Sequence, residues 1–235
     1  MSLDVRGMGF VPRMGPVLER YFGDLYDSCV LTLPHRICGP REAGFVFTYG
    51  SSTSEQARKV LNTAASTVAL SSVPGETVVV VYDPAGVLGE DDAVYSLTSV
   101  DGPCSVVCDP TGLLQTVNAV IGRIYDDEVP LKTCQLFLFD FPKGVDGNLL
   151  NLIDTVTELP YGGVSVNLFF NSSLRISGEP DELRRLASTA DRFEHTYTAG
   201  AMVFTDSNGL SYVCAEPPDA DVCARFMESY RGNVR

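Results

Sequence analysis

The chain has 235 residues, 45% of them hydrophobic, with 30 acidic against 17 basic side chains and a formal net charge of −13. That length and apolar content suffice for one large domain with a well-filled core. The negative charge works against sequence-independent binding to phosphate backbones and to anionic membrane surfaces, so neither nucleic acid nor membrane is an expected partner.

Near the start, Gly7, Gly9, Pro12, Gly15 and Pro16 stand where a signal peptide would be continuously apolar, so export is not expected. Val17, Leu18, Tyr21, Phe22, Leu25 and Tyr26 recur at helical spacing and predict a short helix within an N-terminal extension over residues 1–43. A single α/β domain is expected over 44–235. Its first strand is Gly44 to Thr48 (GFVFT), which empties into the loop Tyr49-Gly50-Ser51-Ser52-Thr53-Ser54. Ser52 and Glu55 have capping-box spacing, and Ala57, Val60, Leu61, Ala64, Ala65 and Val68 line one face of the helix that follows. Pro74-Gly75 ends that helix, and Thr77 to Tyr82 (TVVVVY) is a second buried strand. The unit places a hydroxyl-rich loop at the carboxyl end of a strand, where open α/β sheets bind ligands.

Beyond the turn at Asp83 to Gly86 and the acidic Glu90-Asp91-Asp92, residues 93–100 and 104–108 read as short strands. Asp109-Pro110-Thr111-Gly112 opens a helix carrying Leu113, Leu114, Val117, Val120, Ile121 and Ile124. Cys134 to Phe141 (CQLFLFDF) is a buried strand with Asp140 near its carboxyl end. A helix over Leu149 to Leu159, a strand over Val164 to Phe170 and a helix opened by Gly178-Glu179-Pro180 follow. Phe193 to Tyr197 reads as a short strand. Asp206-Ser207-Asn208-Gly209 then joins a hairpin, and Val222, Cys223, Phe226 and Met227 mark a last helix. The alternation predicts a mostly parallel, doubly wound sheet with helices on both faces and an antiparallel hairpin near the C-terminus.

Several chemistries can be set against this layout. Gly50 to Ser54 at a helix N-terminus suits an anion, but neither Gly-x-x-x-x-Gly-Lys-Ser/Thr nor Gly-x-Gly-x-x-Gly is present. Of the two histidines, His35 and His195, the second falls late enough to serve a hydrolase as base. Ser51 or Ser52 would be the nucleophile and Asp140 the orienting acid, without a Gly-x-Ser-x-Gly elbow; Cys29 or Cys108 can replace the serine. Such a hydrolase is the alternative function. Zinc is not favoured, because Cys104 with Cys108 and Cys29 with His35 and Cys38 each lack a second ligand pair. The seven cysteines, odd in number, suit buried thiols in a reducing compartment, so an intracellular protein, cytoplasmic or nuclear, is expected. Glu90-Asp91-Asp92 and Asp126-Asp127-Glu128 read as solvated loops and helix ends.

From about residue 44 to the last helix, this order of elements resembles the von Willebrand factor A-type fold. In that family an Asp-x-Ser-x-Ser loop, a threonine from a later loop and a strand-end aspartate hold a divalent cation, usually Mg²⁺, through hard oxygen ligands. The resemblance assigns Ser52 and Ser54 (or Ser51 and Thr53) to the hydroxyl pair, Thr111 to the threonine and Asp140 to the aspartate. Gly50 or Tyr49 stands where the leading aspartate would be, so the resemblance implies a degenerate site with no resident cofactor, Mg²⁺ being the ion it would accept. Ile176-Ser177-Gly178 with Glu182 to Ala187 is similar to the family's penultimate helix. Intracellular members are scaffold subunits of coat, proteasomal or transcription-repair complexes. The resemblance therefore implies a non-catalytic protein-interaction subunit whose partners are other protein subunits. They would dock on Tyr49 to Ser54, Asp109 to Thr111 and Asp140 to Lys143.

Overall fold

The computed structural model describes residues 44–233 except 73, 100–101, 127–130, 159–162, 175–192, 194, 202, 210, 213 and 215. The expected N-terminal extension with its helix, and the helix opened by Gly178-Glu179-Pro180, lie outside the described residues. So do Cys29, His35 and Cys38.

The apolar runs become strands almost as spaced. They are β1 (Phe45–Tyr49), β2 (Thr77–Tyr82), β3 (Cys104–Val107), β4 (Thr133–Phe141) and β5 (Val164–Asn171). β6 (His195–Ala199) follows, then the short β7 (Phe204–Asp206) and β8 (Ser211–Tyr212). The described helices are α1 (Ser54–Ser71), α2 (Ala93–Ser96), α3 (Pro110–Ile124), α4 (Gly147–Glu158) and α5 (Ala220–Asn233). In α3 the Asp109 side chain accepts from Gly112 N at 2.7 Å and Pro110 fills the first turn. Such a cap is worth about 1 kcal/mol.

All eight described strands join one sheet in the order β3-β2-β4-β5-β1-β6-β7-β8. β3 through β6 run parallel, and β6, β7 and β8 alternate. The α/β class, the mostly parallel sheet and the C-terminal antiparallel pair are therefore as expected. The classic doubly wound order, 3-2-1-4-5-6, seats β1 beside β2. Here β4 and β5 stand between them, so the chain crosses two strand positions in going from β1 through α1 to β2.

The core lies on both faces of the sheet. One cluster joins Phe45, Phe47, Tyr49, Val79, Val81, Phe137, Phe139 and Phe169 to α1, α2 and α5. The other joins Val46, Val80, Leu136, Leu138, Val166 and Leu168 to α3 and α4. Residues 60–70 of α1 are buried all round, each large apolar side chain contributing about 1.5–3 kcal/mol. Gly44, at φ +92°, marks the close approach of β1 to β5, since a Cβ there would lie 1.7 Å from Val166 O.

Two local expectations change. Residues 93–96 form a helix where a strand was expected, because contacts with α1 set the conformation. Asp92 is buried and accepts from Arg58 Nη2 at 2.8 Å, Asn62 Nδ2 at 3.0 Å and Gly89 N at 2.8 Å. Asn62 Oδ1 in turn accepts from Val94 N at 3.0 Å. The Ser52–Glu55 capping box does not form: Ser51–Thr53 make a 3-10 turn, α1 begins at Ser54, and its N-cap Thr53 makes no side-chain cap.

Candidate functional site

Three strand ends meet at the carboxyl edge of the sheet, with β5 seated between β1 and β4. Tyr49, the last residue of β1, is buried with its ring stacked on Phe139 at 5.6 Å. Its hydroxyl donates to Asp140 Oδ1 at 2.5 Å, and Asn171 Nδ2, at the end of β5, donates to the same oxygen at 2.9 Å. Lys143 Nζ lies 3.9 Å from Asp140 Oδ2. Burial, reinforced by Asp140, pushes the Tyr49 phenol far above its ordinary value of 10.0, so it stays a donor at neutral pH. Asp140 takes this position through a register irregularity between Leu138 and Phe141 and a left-handed φ of 54°. Aspartate tolerates that conformation better than most residues.

The loop after β1 is tied down by the loop after β5. Gly50 N donates to Thr53 Oγ1 at 3.0 Å, Ser51 N to Ser173 Oγ at 2.8 Å and Thr53 N to Gly50 O at 2.9 Å. From the other side, Ser172 donates to Tyr49 O through both its N–H and its hydroxyl, each at 2.8 Å. Asn171 Oδ1 holds the loop by accepting from Ser173 N at 3.0 Å. Three of the five amides from Gly50 to Ser54 are thus spent inside the protein.

Toward β2 and β3 the edge is acidic. Asp83 is fully buried, its Oδ2 accepts from Leu88 N at 2.9 Å, and its Oδ1 has no hydrogen-bond partner among the described residues. Burial, then Asp83 and Asp109, raise the thiol of exposed Cys108. Burial, helped by Asp109, Asp146 and Cys108, pushes Tyr82 up to about 12. This field repels anions.

The residues nominated from sequence do not share one centre. Ser52 and Ser54 are exposed in the turn and the first residue of α1, with Ser54 Oγ donating to Ser51 O at 3.2 Å. Thr111 is exposed in the first turn of α3 after β3, four strand positions from β1, or roughly 19 Å at the usual interstrand spacing. Among the described residues Asp140 is engaged by Tyr49, Asn171 and Lys143 and not by those three. Tyr49, expected only as part of the docking edge, and Asn171 each close an apolar strand with a hydrogen-bonding side chain at the edge that holds Asp140. No group of three or more His, Cys, Asp or Glu among the described residues is placed to hold a metal ion.

The hydrolase alternative fails on placement for its described candidates. The backbone of His195 pairs with Phe45 at the amino end of β1, whereas Ser51, Ser52 and Cys108 follow the carboxyl ends of their strands. A five-residue strand separates those ends by about 13 Å. Cys104, Cys134, Cys214 and Cys223 are buried thiols outside any disulfide among the described residues, with burial pushing Cys134 up to about 12. No helix among the described residues is long and apolar enough to cross a membrane.

No protein-family model and no curated sequence matches the chain. Among solved structures it is similar to ATPase domains of secretion machines. ATPases 2 and 3 of EssC from Geobacillus thermodenitrificans align at a TM-score of 0.54 and 13% identity, over 82% of this chain and 45% of that one. The cytoplasmic domain of the type VII secretion ATPase EccC from Thermomonospora curvata gives 0.47 and 10%, over 74% and 24%. Its ATPases 2 and 3, in complex with a signal sequence peptide, give 0.46 and 14%, over 81% and 42%. The chain therefore spans less than half the length of each.

The EssC likeness and the strand order correct the von Willebrand A-type assignment and the degenerate metal site drawn from it. The fold is similar to that of the EssC ATPase domains, and in this chain β1 and β2 stand apart. The scaffold-subunit function of coat or transcription-repair type falls with the assignment.

Proposed function

We propose that the chain is one ATPase-type domain of a protein-translocating assembly. In this reading it engages a neighbouring ATPase domain or a peptide, and its own β1–α1 loop does not take up nucleotide. The length ratio supports a single-domain reading, because 82% of this chain corresponds to 45% of a chain holding two ATPase domains.

The loop carries the rest. A P-loop cradles phosphates with free backbone N–H groups and a lysine, whereas Tyr49 to Ser54 contain no lysine and the amides of Gly50, Ser51 and Thr53 donate internally. The residues do not fit a bound nucleotide, so no hydrolytic step is derived for them. In this reading its partners are protein subunits and its location is intracellular.

Titrating the chain with Mg-ATP by calorimetry, with phosphate release followed in parallel, tests the loop. No saturable heat and no release are expected. Micromolar binding that weakens when Ser173→Ala loosens the loop would overturn the reading. A photo-crosslinker at exposed Ser52 in the native host tests the partner half, the expected product being a conjugate with an ATPase-domain protein or its cargo. Absence of any conjugate would count against it.

A further inference from the structure

In P-loop ATPases a strand-end aspartate and a loop hydroxyl hold the Mg²⁺ that accompanies the phosphates. Asp140 is a strand-end aspartate, yet its surroundings do not fit that ion. Oδ1 already accepts from Tyr49 Oη at 2.5 Å and Asn171 Nδ2 at 2.9 Å, and Oδ2 faces the Lys143 ammonium at 3.9 Å. Neither hydrogen-bond donor is free to leave. The Tyr49 ring is only 2% exposed and stacked on Phe139, so its hydroxyl cannot swing out without unpacking the core. Asn171 is fixed at its other end by Ser173 N. A dication approaching Oδ1 would have to displace two hydrogen bonds, and one approaching Oδ2 would sit beside the Lys143 charge.

We infer that Tyr49, Asn171 and Lys143 together replace a divalent cation at Asp140. The ammonium supplies the compensating charge. The phenol and the amide supply the directed contacts, and the carboxyl ends of β1, β4 and β5 are joined without a metal. The inference deepens the reading of this edge as closed to phosphates, and it assigns Tyr49 and Lys143 as the residues that exclude the ion.

Mn²⁺ alone, with no nucleotide, is the probe, and its free signal is followed by electron paramagnetic resonance. The proteins are the wild-type chain, Tyr49→Phe/Lys143→Ala, and the same double variant with Asp140→Asn. The wild-type chain should leave the Mn²⁺ signal unchanged. The double variant should bind about tenfold tighter or more, the scale of removing a unit charge about 4 Å away at a solvent-accessible site, and Asp140→Asn should abolish the gain. Wild-type binding lost with Asp140→Asn would overturn the inference. So would a double variant, folded by circular dichroism, that binds no better than wild type. Should the double variant not fold, Lys143→Ala alone carries the same test, since that side chain is 45% exposed. Mg-ATP binding without Mn²⁺ binding would overturn the loop reading and leave this one standing.

Discussion

Tyr49 is the residue on which the carboxyl edge turns, because it is at once a core aromatic and a hydrogen-bond donor. Its phenol is raised above its ordinary 10.0 by burial first and by Asp140 second, so its contribution to stability has a definite sign with pH. Below about pH 10 the phenol is protonated in folded and unfolded chains alike, and the contribution is complete. Above that value the unfolded chain releases the proton and the folded chain keeps it, so stability falls as pH rises. Between about pH 10 and about pH 11 the wild-type chain should lose about 1 kcal/mol more than Tyr49→Phe, read from urea midpoints at each pH. Equal slopes would mean that the phenol is not held in its neutral form. Asp140 was visible in the sequence because a carboxylate at the end of an apolar strand is unusual. The roles of Tyr49 and Asn171 were not, because their bond to it spans 91 and 31 residues.

Among the elements, α2 shows how a short segment is decided from outside. Ala93 to Ser96 reads as a strand by composition, but buried Asp92 gathers Arg58, Asn62 and the Gly89 amide, and the helix starts from that anchor. Asp92→Ala would leave those donors without their carboxylate and should cost about 3 kcal/mol in chemical denaturation. A loss below about 1 kcal/mol would show that water replaces the carboxylate. The longer elements were legible, since TVVVVY, CQLFLFDF and the stripe of α1 each carry enough apolar side chains to fix burial locally. Their sideways order was not. Strand sequence sets which face is buried, while pairing depends on which crossovers the helices can cover.

For the whole molecule, charge is the dominant long-range term. With a net charge of −13 and a pI near 4.5, the folded chain repels itself at neutral pH. Raising the salt from about 0.01 to about 0.15 M should therefore raise the melting temperature in a thermal-shift scan. A fall would mean that surface ion pairs such as Lys59 with Glu216 and Lys132 with Glu76 outweigh the repulsion.

The separation of β1 from β2 also bears on how the chain is made. β1 has no partner until β5 exists, since the loop after β1 bonds to Ser173, 122 residues further on. At about 5–20 residues per second, a ribosome needs roughly 6–24 s to cover that distance. Throughout that interval Phe45, Val46 and Phe47 are an apolar segment with unpaired backbone on both sides. The nascent chain thus carries an unpaired apolar strand for seconds before the sheet can close around it.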